Sequence, residues 1–179
     1  MRARRAPTVA SAGGSERFAV GLGSNLADRM VNLRLGLKAV AAHADDLVVS
    51  AVYETEPEYY AEQGRFLNAC CVGRTRLTPH QMLSELQDAE RRAGRRRGPR
   101  FGPRELDLDL LLFGDLTLES EHLVVPHSRL RERAFVLAPL AEIAADWIVP
   151  AGAETEPATV ARLADSVSHT GITRTELKL

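Results

Sequence analysis

The spacing of apolar and polar positions changes period several times along this chain, and each change marks an element. Arg17 to Leu22 is a short apolar run closed by Gly23-Ser24-Asn25, which predicts a strand ending in a tight turn. Asp28 then stands where a helix N-cap belongs, and Leu33, Leu37 and Val40 recur at i, i+4 and i+7. That spacing predicts a helix of about 15 residues with one buried face. Leu47 to Tyr53 reads as a second strand, and Thr55 to Gly64 as a polar loop containing Pro57. Phe66 to Thr75 is apolar except for Asn68 near its start, as expected of a strand covered on both faces. Thr78-Pro79-His80-Gln81 is a helix start, with Thr78 as cap, Pro79 in the first turn and Gln81 closing a capping box. Met82, Leu86, Ala89 and Ala93 form the apolar stripe of that helix, and Gly94 ends it. A loop rich in Gly, Pro and Arg leads into an apolar strand near Leu106 to Leu112, turned by Gly114-Asp115.

The order strand, helix, strand, strand, helix, strand is the split βαββαβ pattern. It predicts an α+β fold with a ferredoxin-like core: a mostly antiparallel sheet, helices packed on it, and C-terminal additions after Gly114. Among those additions, Leu116 to Leu118 would pair back on the preceding strand as a hairpin. Arg133 to Ile143 would begin as a helix and break near Pro139. Trp147 to Pro150 would make a short strand, and Thr159 to Val167 a short helix.

Composition narrows this picture. With 179 residues and 45% hydrophobic content, residues 17–179 suffice for a single domain with its own core. Residues 1–16 lack an apolar stretch and read as a disordered N-terminal extension rather than a secretory signal. No apolar run approaches the ~18 residues of a membrane span. Cys70 and Cys71 are adjacent, so on a strand they point to opposite faces and do not bridge. A reducing, cytoplasmic setting is expected, with no membrane partner and a monomeric chain. A net charge of −1 excludes a generic nucleic-acid coat. The distribution is uneven, however. Seven arginines fall between Arg91 and Arg104, in a chain whose only lysines are Lys38 and Lys178.

The arginine loop meets the last core strand at Arg104-Glu105-Leu106-Asp107-Leu108-Asp109-Leu110. Alternation puts Leu106, Leu108, Leu110 and Leu112 on one face, and Asp107 and Asp109 on the other. Carboxylates ~6–7 Å apart along a strand can share hard divalent cations. They can equally be balanced by two well-placed arginines, and spacing alone does not choose. Carboxylates, metal and arginines together point to chemistry on phosphoryl groups.

The segment Arg100 to Leu111 resembles the signature of 6-hydroxymethyl-7,8-dihydropterin pyrophosphokinases, the folate-biosynthesis family. Further blocks resemble that family in the same order: Gly21 to Leu26, Tyr53 to Pro57, Phe66 to Ala69, Gln87 with Glu90 and Gly94-Arg95, Val125 to His127, and Arg133 to Leu137. Together they extend from about Val20 to Pro150. The resemblance implies transfer of diphosphate from ATP to the pterin hydroxymethyl group, with release of AMP. It implies two Mg²⁺ ions held by Asp107 and Asp109, with Arg95 and Arg104 contacting phosphate in the transition state. For ATP it implies Gln87, Glu90, Arg97, Arg100, Leu110, His127 and Arg133. For the pterin it implies stacking by Phe66 and Phe135, and edge recognition by Asn68 and the backbone near Thr55. A flat ring with donors and acceptors along one edge suits an aromatic sandwich and an amide. The loop from Arg95 to Pro103 becomes a lid, with Phe101 where the family usually has Trp. His122 and Val124 replace a basic and a hydroxyl residue found in some members.

Two other classes fit parts of the pattern. A palm-like nucleotidyltransferase also places such a carboxylate pair on a split βαβ sheet, but needs a third carboxylate and a primer surface. A nucleic-acid-binding module could use the arginine loop, but would need a second basic stripe or interleaved aromatics.

Overall fold

The computed structural model describes residues 14–57, 63–94, 102–152 and 155–179. Among the described residues ten strands and four helices follow one another: β1 (Glu16–Ser24), α1 (Arg29–Ala41), β2 (Asp45–Val49), β3 (Tyr53–Thr55), β4 (Phe66–Thr75), α2 (Pro79–Arg92), β5 (Asp107–Phe113), β6 (Leu118–Glu119), β7 (Val124–Val125), α3 (Ala134–Ala144), β8 (Ile148–Val149), β9 (Ala158–Thr159), α4 (Val160–Asp165) and β10 (Ile172–Arg174). The main sheet runs β10-β3-β4-β1-β5, with β2 also paired to β4. All its pairings are antiparallel. The predicted α+β class and split core are therefore present, with the first and third core strands at the centre.

Both long helices start as the sequence predicts. The Asp28 side chain accepts from the Val31 N–H, and Thr78 and Gln81 form the full capping box with Pro79 in the first turn. Gly94 takes φ +100°, a left-handed conformation that suits the residue just past a helix end. Helices α1 and α2 cover one face of the sheet through Leu33, Val40, Met82 and Leu86, packed with Phe18, Val20, Leu22 and Leu108. Helices α3 and α4 cover the other through Leu137, Leu140, Val160 and Leu163, packed with Ala19, Val72 and Leu112. Cys71 belongs to the first core and Cys70 to the second, and both thiols are free. Burial pushes the Cys71 thiol up to about 12, and Cys70 well above its ordinary value, so neither is a nucleophile.

Several elements differ from the sequence reading. β1 opens at Glu16, inside the stretch expected to be an extension, and Ser15 is held by Arg74, whose Nη2 donates to its carbonyl at 2.6 Å. The expected second strand is two strands, β2 and β3, both laid along β4. Ser50 lies at the break, where its N–H donates to the Cys70 carbonyl and its hydroxyl accepts from the Cys70 N–H. Leu118–Glu119 pairs with Val124–Val125 rather than with β5. α3 continues through Pro139, which has no N–H to donate to the Phe135 carbonyl. Val136, Leu137, Pro139, Leu140 and Ala144 are all buried, and that packing outweighs one absent hydrogen bond. The β1–β5 register slips between Ala19 and Val20, so one extra residue enters β5 near Leu111. The bulge turns Leu112 to the α3 side, and only Leu106, Leu108 and Leu110 share the α1/α2 core.

Candidate active site

Upstream of the bulge the alternation holds. With Leu108 and Leu110 in the α1/α2 core, Asp107 and Asp109 face the α3 side, next to a cavity of about 130 Å³. Its lining includes Thr55, Phe66, Asn68 and Phe135, the whole predicted ring-binding set, together with Arg104, Asp107, Asp109 and Arg133. Strands β3, β4 and β5 and helix α3 each contribute. Asn68 is buried, and its Nδ2 donates to Thr55 Oγ1 at 2.8 Å, which orients the amide. Gly23 lines the same wall, and a Cβ there would come within 3.0 Å of Asn68 Oδ1.

Arginines compensate both carboxylates. Arg104 Nη1 donates to Asp107 Oδ1, and Arg133 Nη1 donates to Asp109 Oδ2 at 3.0 Å. Arg133 is the N-cap residue of α3, with its side chain only 12% exposed and its guanidinium carbon 5.5 Å from the centre of the Phe135 ring. Its Nε is buried and has no hydrogen-bond partner among the described residues. An orphaned buried donor beside two carboxylates suits an anionic ligand that supplies its own oxygens.

His127 follows the cis Val125–Pro126 peptide, and its N–H donates to the Leu111 carbonyl at 2.9 Å, which ties the turn to β5. Its Nδ1 accepts from the Arg129 N–H at 3.2 Å, and its Nε2 lies 3.8 Å from Asp109 Oδ2. Burial holds its pKa below the ordinary histidine range, although Asp109 pulls the other way. The ring is therefore neutral near pH 7, with Nε2 carrying the proton.

Two predicted nucleotide residues separate on the structure. Gln87 is exposed on α2, whereas Glu90, one turn later, is buried and 4% exposed. Glu90 Oε1 accepts from the Leu108 N–H at 2.9 Å and so bonds β5 between its two aspartates. The Leu110 side chain belongs to the core. Arg95, Arg97, Arg100 and Phe101 lie outside the described residues, as does most of the expected lid. Sequence reasoning gave Asn25 a turn role only. Its side-chain Oδ1 accepts from the Arg104 N–H at 2.7 Å, and its Nδ2 donates to Gln63 Oε1 at 3.0 Å and to the Gly64 carbonyl at 3.2 Å. An asparagine directly after a strand-ending Gly-Ser was the available signal.

The carboxylate pair fits Mg²⁺. Both ligands are hard oxygen donors, partly exposed on one face of one strand. Among the described residues no group of three or more candidate ligands gathers. A one- or two-carboxylate site completed by water and phosphate oxygens is the usual Mg²⁺ arrangement.

A split βαβ sheet that brings two carboxylates and two arginines to the mouth of a ring-lined cavity defines a transferase of the phosphoryl-handling class. The family model for 7,8-dihydro-6-hydroxymethylpterin-pyrophosphokinase matches residues 19–145, and the chain belongs to this family, the ATP-dependent pyrophosphokinases of folate synthesis. The 2-amino-4-hydroxy-6-hydroxymethyldihydropteridine pyrophosphokinase of Bacillus subtilis is 47% identical over 126 residues, covering 69% of this chain and 75% of that protein. The enzyme of the same name from Methylorubrum extorquens is 42% identical over 162 residues, covering 89% and 99%. The mitochondrial folate synthesis bifunctional protein of Arabidopsis thaliana is 44% identical over 131 residues, but this chain spans only 23% of its length. A solved Plasmodium falciparum HPPK-DHPS structure with pterin and p-hydroxybenzoate matches the fold with TM-score 0.66 at 15% identity, covering 88% of this chain and 42% of that one.

Proposed function

We propose that the chain transfers diphosphate from ATP to the hydroxymethyl oxygen of 6-hydroxymethyl-7,8-dihydropterin and releases AMP. The observation that carries this reading is the meeting of two half-sites. The Thr55–Phe66–Asn68–Phe135 cavity opens onto Asp107 and Asp109, and Arg133 Nε, without a hydrogen-bond partner among the described residues, is buried beside them. Phe66 and Phe135 stack the ring, while Asn68 and the Thr55 backbone read its edge. That leaves the hydroxymethyl group pointing at the aspartates.

The hydroxymethyl oxygen attacks the β-phosphorus of ATP. The bond from that phosphorus to the α,β-bridging oxygen breaks, AMP departs with the oxygen, and the hydroxyl proton goes to water. Asp107 and Asp109 would hold two Mg²⁺ ions, which when bound neutralise phosphate charge and acidify the attacking hydroxyl. Arg104 and Arg133 stabilise the charge that spreads over the phosphate oxygens in the transition state. Arg95, Arg97 and Arg100 join them from the loop, and Phe101 helps cover the site. Gln87 and His127 take the nucleotide. Glu90 serves it through β5, and Leu110 through its main chain, since its side chain is in the core.

A monomeric, cytoplasmic enzyme belongs to the same reading, and two free, buried cysteines suit its reducing compartment. Nucleotide analysis after incubation with Mg²⁺, ATP and hydroxymethyldihydropterin tests the reaction. AMP should form only when all three are present, and ADP as product would refute diphosphate transfer.

A further inference from the structure

The walls of the acceptor cavity come from separate parts of the fold. Thr55 and Asn68 stand on β3 and β4, while Phe135 stands on α3. β3 has only three residues, too few to fix its own distance from a helix. Phe135 and Glu142 are seven residues apart, so they share one face of α3. The Glu142 carboxylate gathers three donors. Oε2 accepts from the Ala51 N–H at 2.8 Å, and Oε1 accepts from the Tyr53 hydroxyl at 2.9 Å and from Arg174 Nε at 2.7 Å. One side chain thus joins α3 to the entrance of β3 and to β10.

β10 is itself fastened to β3. Ile172, Thr173 and Arg174 pair with Thr55, Glu54 and Tyr53. The Glu56 N–H donates to the Gly171 carbonyl at 3.1 Å, and the Thr175 N–H and hydroxyl both donate to the Val52 carbonyl at 2.9 Å. Gly171 has φ +76°, and a Cβ there would meet Glu56 Cγ at 3.0 Å. β10 lies outside the 19–145 stretch matched by the family model. Burial works to raise the Glu142 pKa, but Arg174, the Ala51 N–H and the Tyr53 hydroxyl outweigh it and hold the carboxyl below its ordinary range. Burial and Glu142 push Tyr53 up to about 12. At neutral pH the cluster is one carboxylate with three donors, a charge-assisted set.

We propose that Glu142 is a positioning residue for the acceptor: by clasping α3 to β3 and β10 it sets the gap between Phe135 and the Thr55–Asn68 pair, and thereby the affinity for the flat ring, without touching it. The proposal rests on the reading of that cavity as the pterin site.

The test compares wild type with Glu142→Ala, Glu142→Gln and Tyr53→Phe. It measures KM for hydroxymethyldihydropterin, KM for ATP, kcat and melting temperature. Glu142→Ala should raise the acceptor KM about tenfold, and Tyr53→Phe about two- to threefold, with Glu142→Gln between them. KM for ATP should stay within about twofold of wild type, since a merely destabilised enzyme would lose both substrates together. An acceptor KM that does not move, or an ATP KM that rises in parallel, would overturn the clasp. Should Glu142→Ala fail to fold, Tyr53→Phe decides alone, and unchanged acceptor KM in that variant overturns it. Wild-type enzyme that releases no AMP strikes at the reaction itself. Normal wild-type turnover with unmoved variants strikes only at the clasp.

Discussion

Asp107 and Asp109 carry the same charge on the same strand, yet their partners differ in burial. Arg133, paired with Asp109, is 12% exposed, whereas Arg104, paired with Asp107, is 25% exposed. Removing a carboxylate leaves its arginine without compensation, and the penalty grows with burial. Asp109→Ala should therefore lower the melting temperature more than Asp107→Ala. Both should cut kcat/KM by about 100-fold or more, because each removes a proposed Mg²⁺ ligand beside the reacting phosphates. Equal melting temperatures would place Arg133 in a more solvated setting than its burial indicates. The shared face of the aspartate pair was legible from alternation alone, but the choice between metal and arginine was not. The structure shows the arginines, and their presence leaves the metal reading intact, because phosphate can take over the guanidinium groups when metal takes the carboxylates. Tyr53 offers a separate check by pH. Its pKa is raised from 10.0 to about 12, so its share of stability is complete below 10.0 and is lost as pH rises through about 12. Denaturation of wild type against Tyr53→Phe across that window should show the difference close. Glu142 has the opposite sign. Its lowered pKa stabilises the fold above the ordinary carboxylate range and is lost as pH falls below it, so Glu142→Gln should flatten the acid limb.

At the scale of elements, β5 is the end strand of the main sheet, and Glu90 reaches its backbone from α2. A buried side chain accepting a strand N–H holds the register of Asp107 and Asp109, the proposed metal ligands, from outside the cavity. Glu90→Ala leaves that N–H without its acceptor. Amide exchange at Leu108 should accelerate by about tenfold or more, given ~1–3 kcal/mol for the lost acceptor, and kcat should fall. Unchanged exchange would mean that the bond contributes nothing to strand order. Helices α1 and α2 were legible to their caps because local signals decide them: Asp28 before an amphipathic run, and Thr78-Pro79 with Gln81. What escaped depends on distant partners. The β5 bulge follows from packing against β1, the continuous α3 from burial around Pro139, and β10 from an edge of β3 that only the folded chain presents. No local pattern in Ile172 to Arg174 announces a strand.

For the whole molecule, the sheet is a frame that brings an acceptor wall, a carboxylate strand and a helix terminus to one cavity. The proposed pterin-binding set was legible only through resemblance, because a phenylalanine beside an apolar strand reads first as core. Phe66 and Phe135 are instead half-buried at the cavity. No helix among the described residues is long and apolar enough to cross a membrane. A nucleic-acid module is not supported by a net charge of −1, and Arg104, the described end of the arginine loop, turns to Asp107 within the site. In the proposed reaction one cavity joins ATP to a pterin and moves two phosphates at once. Quantifying nucleotide products during turnover with hydroxymethyldihydropterin and Mg²⁺ tests it most directly. One AMP should form for each pterin consumed, none without the pterin, and almost none in Asp107→Ala. Release of ADP, or AMP formed at the same rate without the pterin, would contradict it.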